Sequence, residues 1–292
     1  MFFIRAEQYL KLRFSGLTTQ QIYQLFKYSN NFLEYNQTEQ NYVLREFLHM
    51  LKMTRRTKIY RQYLKQTKED ILNLLRQWNV NYITINNALY PLLLQEIYEP
   101  PLILFYRGNI SLMQTTQTLA IIGSRHATDY SQKALDLLFP SFKNENLTIV
   151  SGLARGADAM AHKRALSMNM STVGVLGFGH LEHYPKETRI LRQQIEEKGL
   201  VISEYLPYEK PKKHYFPERN RIISGLSKGV LITESKAQSG TCITTNCALD
   251  QNREVYVLPG SMFNPMTEGN LLNAQEGAKI ILKASDITVD YK

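Results

Sequence analysis

Short apolar runs alternate with longer amphipathic stretches from about residue 80 to the end of the chain. Runs that are apolar at nearly every position are typical of strands buried on both faces of a parallel sheet. The predicted strands are residues 82–85, 102–106, 119–122, 147–150, 172–176, 200–202, 230–233, 255–258 and 279–282. Stretches with helical periodicity lie between most of them, at residues 130–142, 157–167, 187–198, 241–251 and 268–275. The alternation predicts an α/β fold, a mainly parallel sheet with helices on both faces.

The first 66 residues follow a different pattern. They read as short amphipathic helices, such as residues 4–14 and 19–28, without the alternation of strands, and a further helical stretch covers residues 69–78. We therefore predict a small all-helical domain at residues 1–66 and a larger α/β domain at residues 67–292.

A basic run closes the helical part of the chain. Residues 52–68 carry seven cations and no acid: Lys52, Arg55, Arg56, Lys58, Arg61, Lys65 and Lys68. Contacts with phosphates would explain such a run, but so would a solvated helix face. The sequence leaves both readings open.

Charge and cysteine content narrow the class of protein. The 292 residues include 35 Lys and Arg against 26 Asp and Glu, a net charge of +9, which fits a polyanionic partner as well as ordinary solubility. Cys242 and Cys247 provide no disulfide framework, and no apolar run approaches the roughly 18 residues of a membrane span. We expect a cytoplasmic protein, and leave open whether Cys242 is reactive.

Three predicted strands end in loops that could hold phosphates. These loops contain Gly123, Ser124 and Arg125; then Ser151, Gly152, Arg155 and Gly156; then Ser239, Gly240 and Thr241. Parallel strands place such loops at one edge of the sheet, beside the N-termini of the helices that follow. Glycines that merely close tight turns explain one such loop equally well, whereas three at a common edge favour an anion site.

The segment at residues 210–221 interleaves cations with aromatic side chains. It includes Lys213, Phe216, Arg219, Asn220 and Arg221. Basic groups that neutralise the backbone beside a ring that stacks a base are what single-stranded nucleic acid binding requires. An exposed loop fits this segment; the alternative is that Phe216 enters the core and Pro217 begins a helix.

Other chemistry has little support in the sequence. Asp158 with His162, and His180 with His183, lack a third ligand with suitable spacing, so we expect no metal. No complete dinucleotide motif follows Gly177, and no nucleophile has an identifiable base. We therefore expect no cofactor and no catalytic residue.

Six motifs occur together in order: IIGSR (121–125), SGLARGADAMAH (151–162), VLGFG followed by YP (175–179 and 184–185), FPERNRIISGLS (216–227), SGTCITTNCAL (239–249) and REVYVLPG (253–260). This combination resembles the DprA/Smf family, over about 200 residues. Among the departures, Asn252 stands where the family usually has glycine before REV, and Glu268-Gly269-Asn270 replaces the family's glycine-cysteine-asparagine.

The resemblance implies an extended Rossmann-like fold and a non-catalytic protein that binds single-stranded DNA during natural transformation. It also implies a homodimer, delivery of the strand to RecA, and single-strand-binding protein as a further candidate partner. In that family the pocket uses the positions of Arg125, Lys213 and Phe216, completed by the glycine-rich and SGT loops. The helical N-terminus loosely resembles the sterile-alpha-motif-like domain of some members.

One enzymatic alternative was weighed against this interpretation. Nucleotide-cleaving phosphoribohydrolases of the lysine-decarboxylase-like Rossmann type also use glycine loops, but they require a PGGxGTxxE loop with a glutamate for chemistry. Here Ala237-Gln238-Ser239 replaces Pro-Gly-Gly, and Thr244 follows Gly240-Thr241-Cys242-Ile243. The sequence therefore favours binding over cleavage.

Overall fold

The computed structural model describes residues 2–51 and 54–292, with side chains from residue 7 onwards. The chain forms two compact units: Met1–Ala88 with Tyr98–Leu104, and Leu89–Ile97 with Phe105–Lys292. Lys52, the first residue of the basic run, lies outside the described residues.

The smaller unit contains α1 (Phe2–Ser15), α2 (Thr19–Tyr28), α3 (Gln37–Met50), α4 (Arg56–Lys65), α5 (Lys68–Gln77) and the strand β1 (Asn81–Thr84). Capping boxes start three of these helices, at Thr18, Asn36 and Thr67, and each satisfies N–H groups that have no partner within the helix. The unit extends past the predicted boundary at residue 66, because α5 packs against α1 and Lys68 forms an ion pair with Glu7.

The larger unit is built on a mainly parallel sheet. Its strands are β2 (Ile103–Gly108, of which residues 105–108 belong to this unit), β3 (Thr118–Ile122), β4 (Thr148–Ser151), β5 (Thr172–Leu176), β6 (Leu200–Ser203), β7 (Gly229–Ile232), β8 (Glu254–Val257) and β9 (Lys279–Ile280). They lie in the order β2-β6-β5-β4-β3-β7-β8-β9, and among the described pairings only β2 with β6 is antiparallel. The order reverses between β3 and β7, the position where open α/β sheets form a ligand crevice.

Helices follow most of these strands. They are α6 (Leu92–Gln95), α7 (Asp129–Asn144), α8 (Ala157–Ser167), α9 (Arg189–Lys198), α10 (Tyr215–Gly225), α11 (Gly240–Asp250), α12 (Glu268–Gln275) and α13 (Ser285–Thr288). Two clusters of buried side chains join helices to the sheet, one around Leu119, Ile121 and Phe139, the other around Leu176 and Ile195. The predicted α/β class with a mainly parallel sheet is confirmed.

The structure decides between two readings of residues 210–221. The sequence leaves open an exposed loop or a helix that begins near Pro217, and α10 begins at Tyr215. Pro217 lies in the first turn, where a missing N–H costs no intrahelical hydrogen bond. The ring of Tyr215 stacks on Tyr205, with centroids 4.0 Å apart, and this contact anchors the start of the helix. The weighed alternative, a helix beginning near Pro217, describes this segment better.

A buried histidine makes the larger unit sensitive to acid. His162 on α8 is fully buried with Nδ1 2.7 Å from the Thr172 hydroxyl, and burial lowers its pKa from 6.5 to about 3. Between these values the unfolded chain binds a proton that the folded chain does not. Stability should therefore fall as the pH drops from about 6.5 to 3, by roughly 4–5 kcal/mol for a shift of this size.

The His162→Gln variant, which cannot titrate, should show a shallower loss of stability over this range, measured by urea unfolding at several pH values. The exposed His49→Gln variant is the matched control and should retain the wild-type slope. Equal slopes for wild type and His162→Gln would contradict the prediction.

Candidate nucleic-acid interface

A cleft of about 620 Å³ opens at the carboxyl ends of β3 and β7. Ten of the residues predicted from sequence line it: Gly123, Ser124, Arg125, Lys213, Phe216, Arg219, Asn220, Ser239, Gly240 and Thr241. They come from three separate parts of the chain, and the sheet topology brings them together because parallel strands end at the same edge.

Two exposed cations and an aromatic ring dominate the mouth of the cleft. The guanidinium carbon of Arg125 lies 5.7 Å from the centroid of the Phe216 ring, a distance typical of a cation–π contact. Phe216 is partly buried, and Gly177 makes room for its ring, since a Cβ there would lie 3.0 Å from Phe216 Cδ1. Within the described part of the chain, neither Arg125 nor Lys213 forms an ion pair.

Arg219 lies in the wall of the cleft and is directed inward. It is only 5% exposed, and its guanidinium donates to the carbonyl of Gly152 at 2.6 Å and to that of Val175. Burial lowers the pKa of Arg219, and the nearby Asp158 carboxylate opposes that shift. This geometry assigns Arg219 to holding two strand ends together, rather than to the direct phosphate contact expected from its place in the motif.

The glycine-rich loop at residues 151–158 is closed by its own hydrogen bonds. The Asp158 carboxylate accepts from Ala154 N at 3.2 Å, and Ser124 O accepts from Ala157 N at 3.1 Å. Ser124 N in turn donates to Glu234 O at 2.7 Å. The amides of Ala154, Ala157 and Ser124 are therefore occupied by protein acceptors and are not open to a phosphate.

The SGT turn has a different geometry. Gly240 begins α11, and the side chain of Ser239 makes no capping hydrogen bond. In the described chain, the N–H groups of Gly240 and Thr241 have no protein acceptor, as is usual for the first turn of a helix. A Cβ on Gly240 would have no heavy atom within 4 Å. This helix end lines the cleft, and its two N–H groups are of the kind that suits an anion.

The other predicted site residues lie outside the main cleft. Gly152 and Arg155 line a small neighbouring cavity together with Arg125 and Phe216, and Arg155 forms an ion pair with the Glu187 carboxylate at 3.3 Å. The remaining three line neither cavity and make internal contacts. The Ser151 hydroxyl donates to Ile121 O at 2.6 Å, Arg221 pairs with Glu204 at 2.6 Å, and Gly156 packs against the loop at residues 124–125.

The structure also shows residues that the sequence interpretation missed. Lys236, His126 and Tyr184 line the cleft, and the Tyr184 ring lies 5.5 Å from that of Phe216. A signal existed for two of them, because Lys236 closely precedes the SGT turn and Tyr184 belongs to a quoted motif.

Two buried polar side chains brace the rim of the cleft. The Glu234 carboxylate accepts hydrogen bonds from Thr128 N at 2.7 Å and from the Ser131 hydroxyl at 2.7 Å, which fixes the start of α7. The Asn270 amide donates to Thr233 O at 2.9 Å and to Leu258 O at 3.0 Å. These contacts fix the backbone at the ends of β7 and β8.

The geometry offers little for hydrolytic chemistry. The one carboxylate among the described residues of the cleft belongs to Asp158, which is buried and accepts N–H groups from the glycine-rich loop. Thr244 lines the cleft near the place where the phosphoribohydrolase motif would supply its glutamate. The described residues contain no group of His, Cys, Asp and Glu that could hold a metal ion, and no helix there is long and apolar enough to cross a membrane.

Comparisons with known proteins place the chain in a family. The family model described as DNA recombination-mediator protein A matches residues 81–292. DNA processing protein DprA of Bacillus subtilis is 39% identical over 217 residues, 74% of this chain and 73% of that protein. DprA of Streptococcus pneumoniae is 35% identical over 282 residues, 97% of this chain and 96% of that protein.

Solved structures agree with the sequence matches. An X-ray structure of the Streptococcus pneumoniae protein gives a TM-score of 0.84 at 33% identity and covers 98% of both chains. A structure of DNA processing protein A from Helicobacter pylori gives a TM-score of 0.65 at 28% identity and covers 72% of this chain and 95% of that one. That structure is described as showing the single-stranded DNA binding mode of the Helicobacter pylori protein. The chain therefore belongs to the DNA recombination-mediator protein A family.

Proposed function

We propose that this protein binds single-stranded DNA in the cleft at the carboxyl edge of its sheet. The observation that carries the proposal is the placement of two exposed cations, Arg125 and Lys213, beside the Phe216 ring and the open N-terminus of α11. Cations and a helix end favour phosphates, and an accessible ring favours an unpaired base.

Each part of the cleft has a distinct role in this proposal. Arg125 and Lys213 neutralise phosphates, the Gly240 and Thr241 amides donate to a phosphate oxygen, and Phe216 stacks a base. Asn220 supports the turn, since its amide lies 3.5 Å from Gly240 O. The inward-facing members of the predicted set hold these groups in position: Ser151, Gly152, Gly156, Arg219 and Arg221. Arg155 is exposed and pairs with Glu187 at the surface. No bond is made or broken.

The wider role follows from the family. The similar protein from Helicobacter pylori is described with single-stranded DNA, and we propose that this chain acts likewise in natural transformation. As a homodimer, it would deliver incoming strands to RecA, including strands coated by single-strand-binding protein. Sedimentation of the protein with and without an oligonucleotide and RecA tests this extension, and the absence of a ternary complex would contradict it.

The Arg125→Ala, Lys213→Ala and Phe216→Ala variants should each bind oligothymidine more weakly, in fluorescence anisotropy titrations at several salt concentrations. Loss of the ring should cost roughly 1–3 kcal/mol at every salt concentration. Loss of one phosphate contact should also lower the logarithmic salt slope by about 0.7.

Lys198→Ala is the matched control for charge. Lys198 is exposed at the end of α9, immediately before β6 begins, so it lies at the amino edge of the sheet. This variant should bind with nearly wild-type affinity. Unchanged binding by both Phe216→Ala and Arg125→Ala would show that the cleft is not the DNA site.

A further inference from the structure

The loop that follows β8 carries the most exposed apolar side chains of the described larger unit. Phe263 is 89% exposed and Met262 is 79% exposed. Exposing a full aromatic ring to water forgoes favourable burial, and an exposed ring is free to stack on another flat group.

This loop is held in shape by its own hydrogen bonds. Ser261 O accepts from Asn264 N at 3.0 Å, and Asn264 O accepts from Thr267 N at 3.0 Å. The Ser261 hydroxyl accepts from Phe263 N at 3.2 Å, and Gly260 lies against the Thr267 side chain. The backbone beneath the ring is thus ordered before any ligand arrives, which lowers the entropic cost of binding.

The loop adjoins the wall of the cleft. Gly269 N donates to Ser235 O at 2.8 Å. Lys236, the residue after Ser235, lines the cleft. Gly269 is six positions after Phe263 in the chain, so their Cα atoms lie at most about 22 Å apart, and the turn described above shortens that distance. The Tyr130 hydroxyl, at the start of α7, donates to Pro259 O at 2.5 Å and fixes the other end of the loop.

We propose that Phe263 is a second stacking site, which takes a base of the same DNA strand after it leaves the cleft past Lys236. The inference rests on the proposed function. Tyr130, 38% exposed and bonded to Pro259 O at the start of the loop, presents another aromatic surface. Stacking tolerates every base, so this site lengthens the bound segment without adding sequence preference.

The Phe263 ring carries no charge, so it can stack on a base but cannot neutralise a phosphate. The exposed cations Lys236 and Lys133 are balanced by the exposed acids Asp129 and Glu268. A contact made by Phe263 therefore neutralises no phosphate, and its contribution should not depend on salt.

The test compares a short oligothymidine, about 6 nucleotides, with a long one, about 20 nucleotides, a choice guided by the site sizes of other single-strand binders. Phe263→Ala should weaken binding of the long oligonucleotide about tenfold, leave the short one unchanged and preserve the salt slope. Phe263→Tyr should restore wild-type binding. Tyr98→Ala, which removes another ring that is 79% exposed, is the control and should change neither affinity.

A spectroscopic test avoids reliance on loss of binding. Trp78 is the single tryptophan of the chain, so a Trp78→Phe, Phe263→Trp double variant carries one tryptophan in the loop. Its emission should be quenched when the long oligonucleotide binds and unaffected by the short one.

Equal affinities of wild type and Phe263→Ala for the long oligonucleotide, or unquenched emission, would overturn the inference. So would sedimentation showing that Phe263→Ala separates a dimer into monomers, because the ring would then serve a protein contact. Failure of the proposed function looks different, since the wild-type protein would then bind neither oligonucleotide.

Discussion

Replacing Arg219 with methionine should lower the free energy of unfolding by about 3–5 kcal/mol, the range found when one partner of a buried charge pair is removed. The guanidinium donates to Gly152 O and Val175 O and lies near the Asp158 carboxylate. Methionine fills similar space but cannot donate, so two buried carbonyls lose a partner and Asp158 loses its counter-charge. Each unsatisfied carbonyl costs roughly 1–3 kcal/mol.

Urea unfolding followed by circular dichroism measures this change. Arg189→Met is the matched control, because Arg189 is exposed on α9 and surface substitutions usually change stability by less than about 0.5 kcal/mol. Removing Asp158 as well, in an Arg219→Met, Asp158→Asn double variant, should recover part of the loss, since no uncompensated carboxylate then remains buried.

One contrary outcome would show that Arg219 contacts a phosphate directly, as its place in the motif suggests. If Arg219→Met left the unfolding midpoint unchanged but weakened DNA binding and lowered its salt slope, the guanidinium would act on a phosphate directly.

The sheet could be predicted because its signals are local. The run at residues 172–176 is apolar enough to indicate a buried strand, and β5 has these same bounds. Asn252 was expected to replace a glycine at a helix end, and it adopts a left-handed conformation with φ +55° just after α11. The start of α10 could not be predicted in this way. The lysines and prolines at residues 210–217 indicate a loop locally. The helix starts where Tyr215 stacks on Tyr205, a contact that no sequence pattern indicates.

The location of the site could be predicted from the sequence, but the direction in which its side chains point could not. The rule that loops gather at the carboxyl edge brought Arg125, Lys213 and the SGT turn into one cleft. Sequence alone does not distinguish an arginine that faces solvent from one that donates to the backbone, so Arg219 and Arg125 looked equivalent. Glu234 and Asn270 carry no local signal, because their partners lie far along the chain, at the start of α7 for Glu234 and at the ends of β7 and β8 for Asn270.

Two glycines of the predicted site should separate folding from binding. Gly156 has φ +72°, and a Cβ there would lie 2.3 Å from Ser124 O. Gly156→Ala must therefore adopt a strained backbone, at roughly 1–3 kcal/mol, and also displace backbone that cannot easily move. We expect a total loss of about 3 kcal/mol or more in urea unfolding. DNA affinity should fall as well, because the displaced loop carries Arg125.

Gly240→Ala should behave in the opposite way. A Cβ at Gly240 meets nothing within 4 Å, and alanine favours a helix by roughly 0.5–1 kcal/mol over glycine, so stability should be unchanged or slightly higher. The added methyl group instead occupies the space through which a phosphate approaches the Gly240 and Thr241 amides, so anisotropy should show weaker DNA binding. Stable folding together with undiminished affinity would show that the strand does not approach the N-terminus of α11, and would leave Arg125, Lys213 and Phe216 as the whole of the contact.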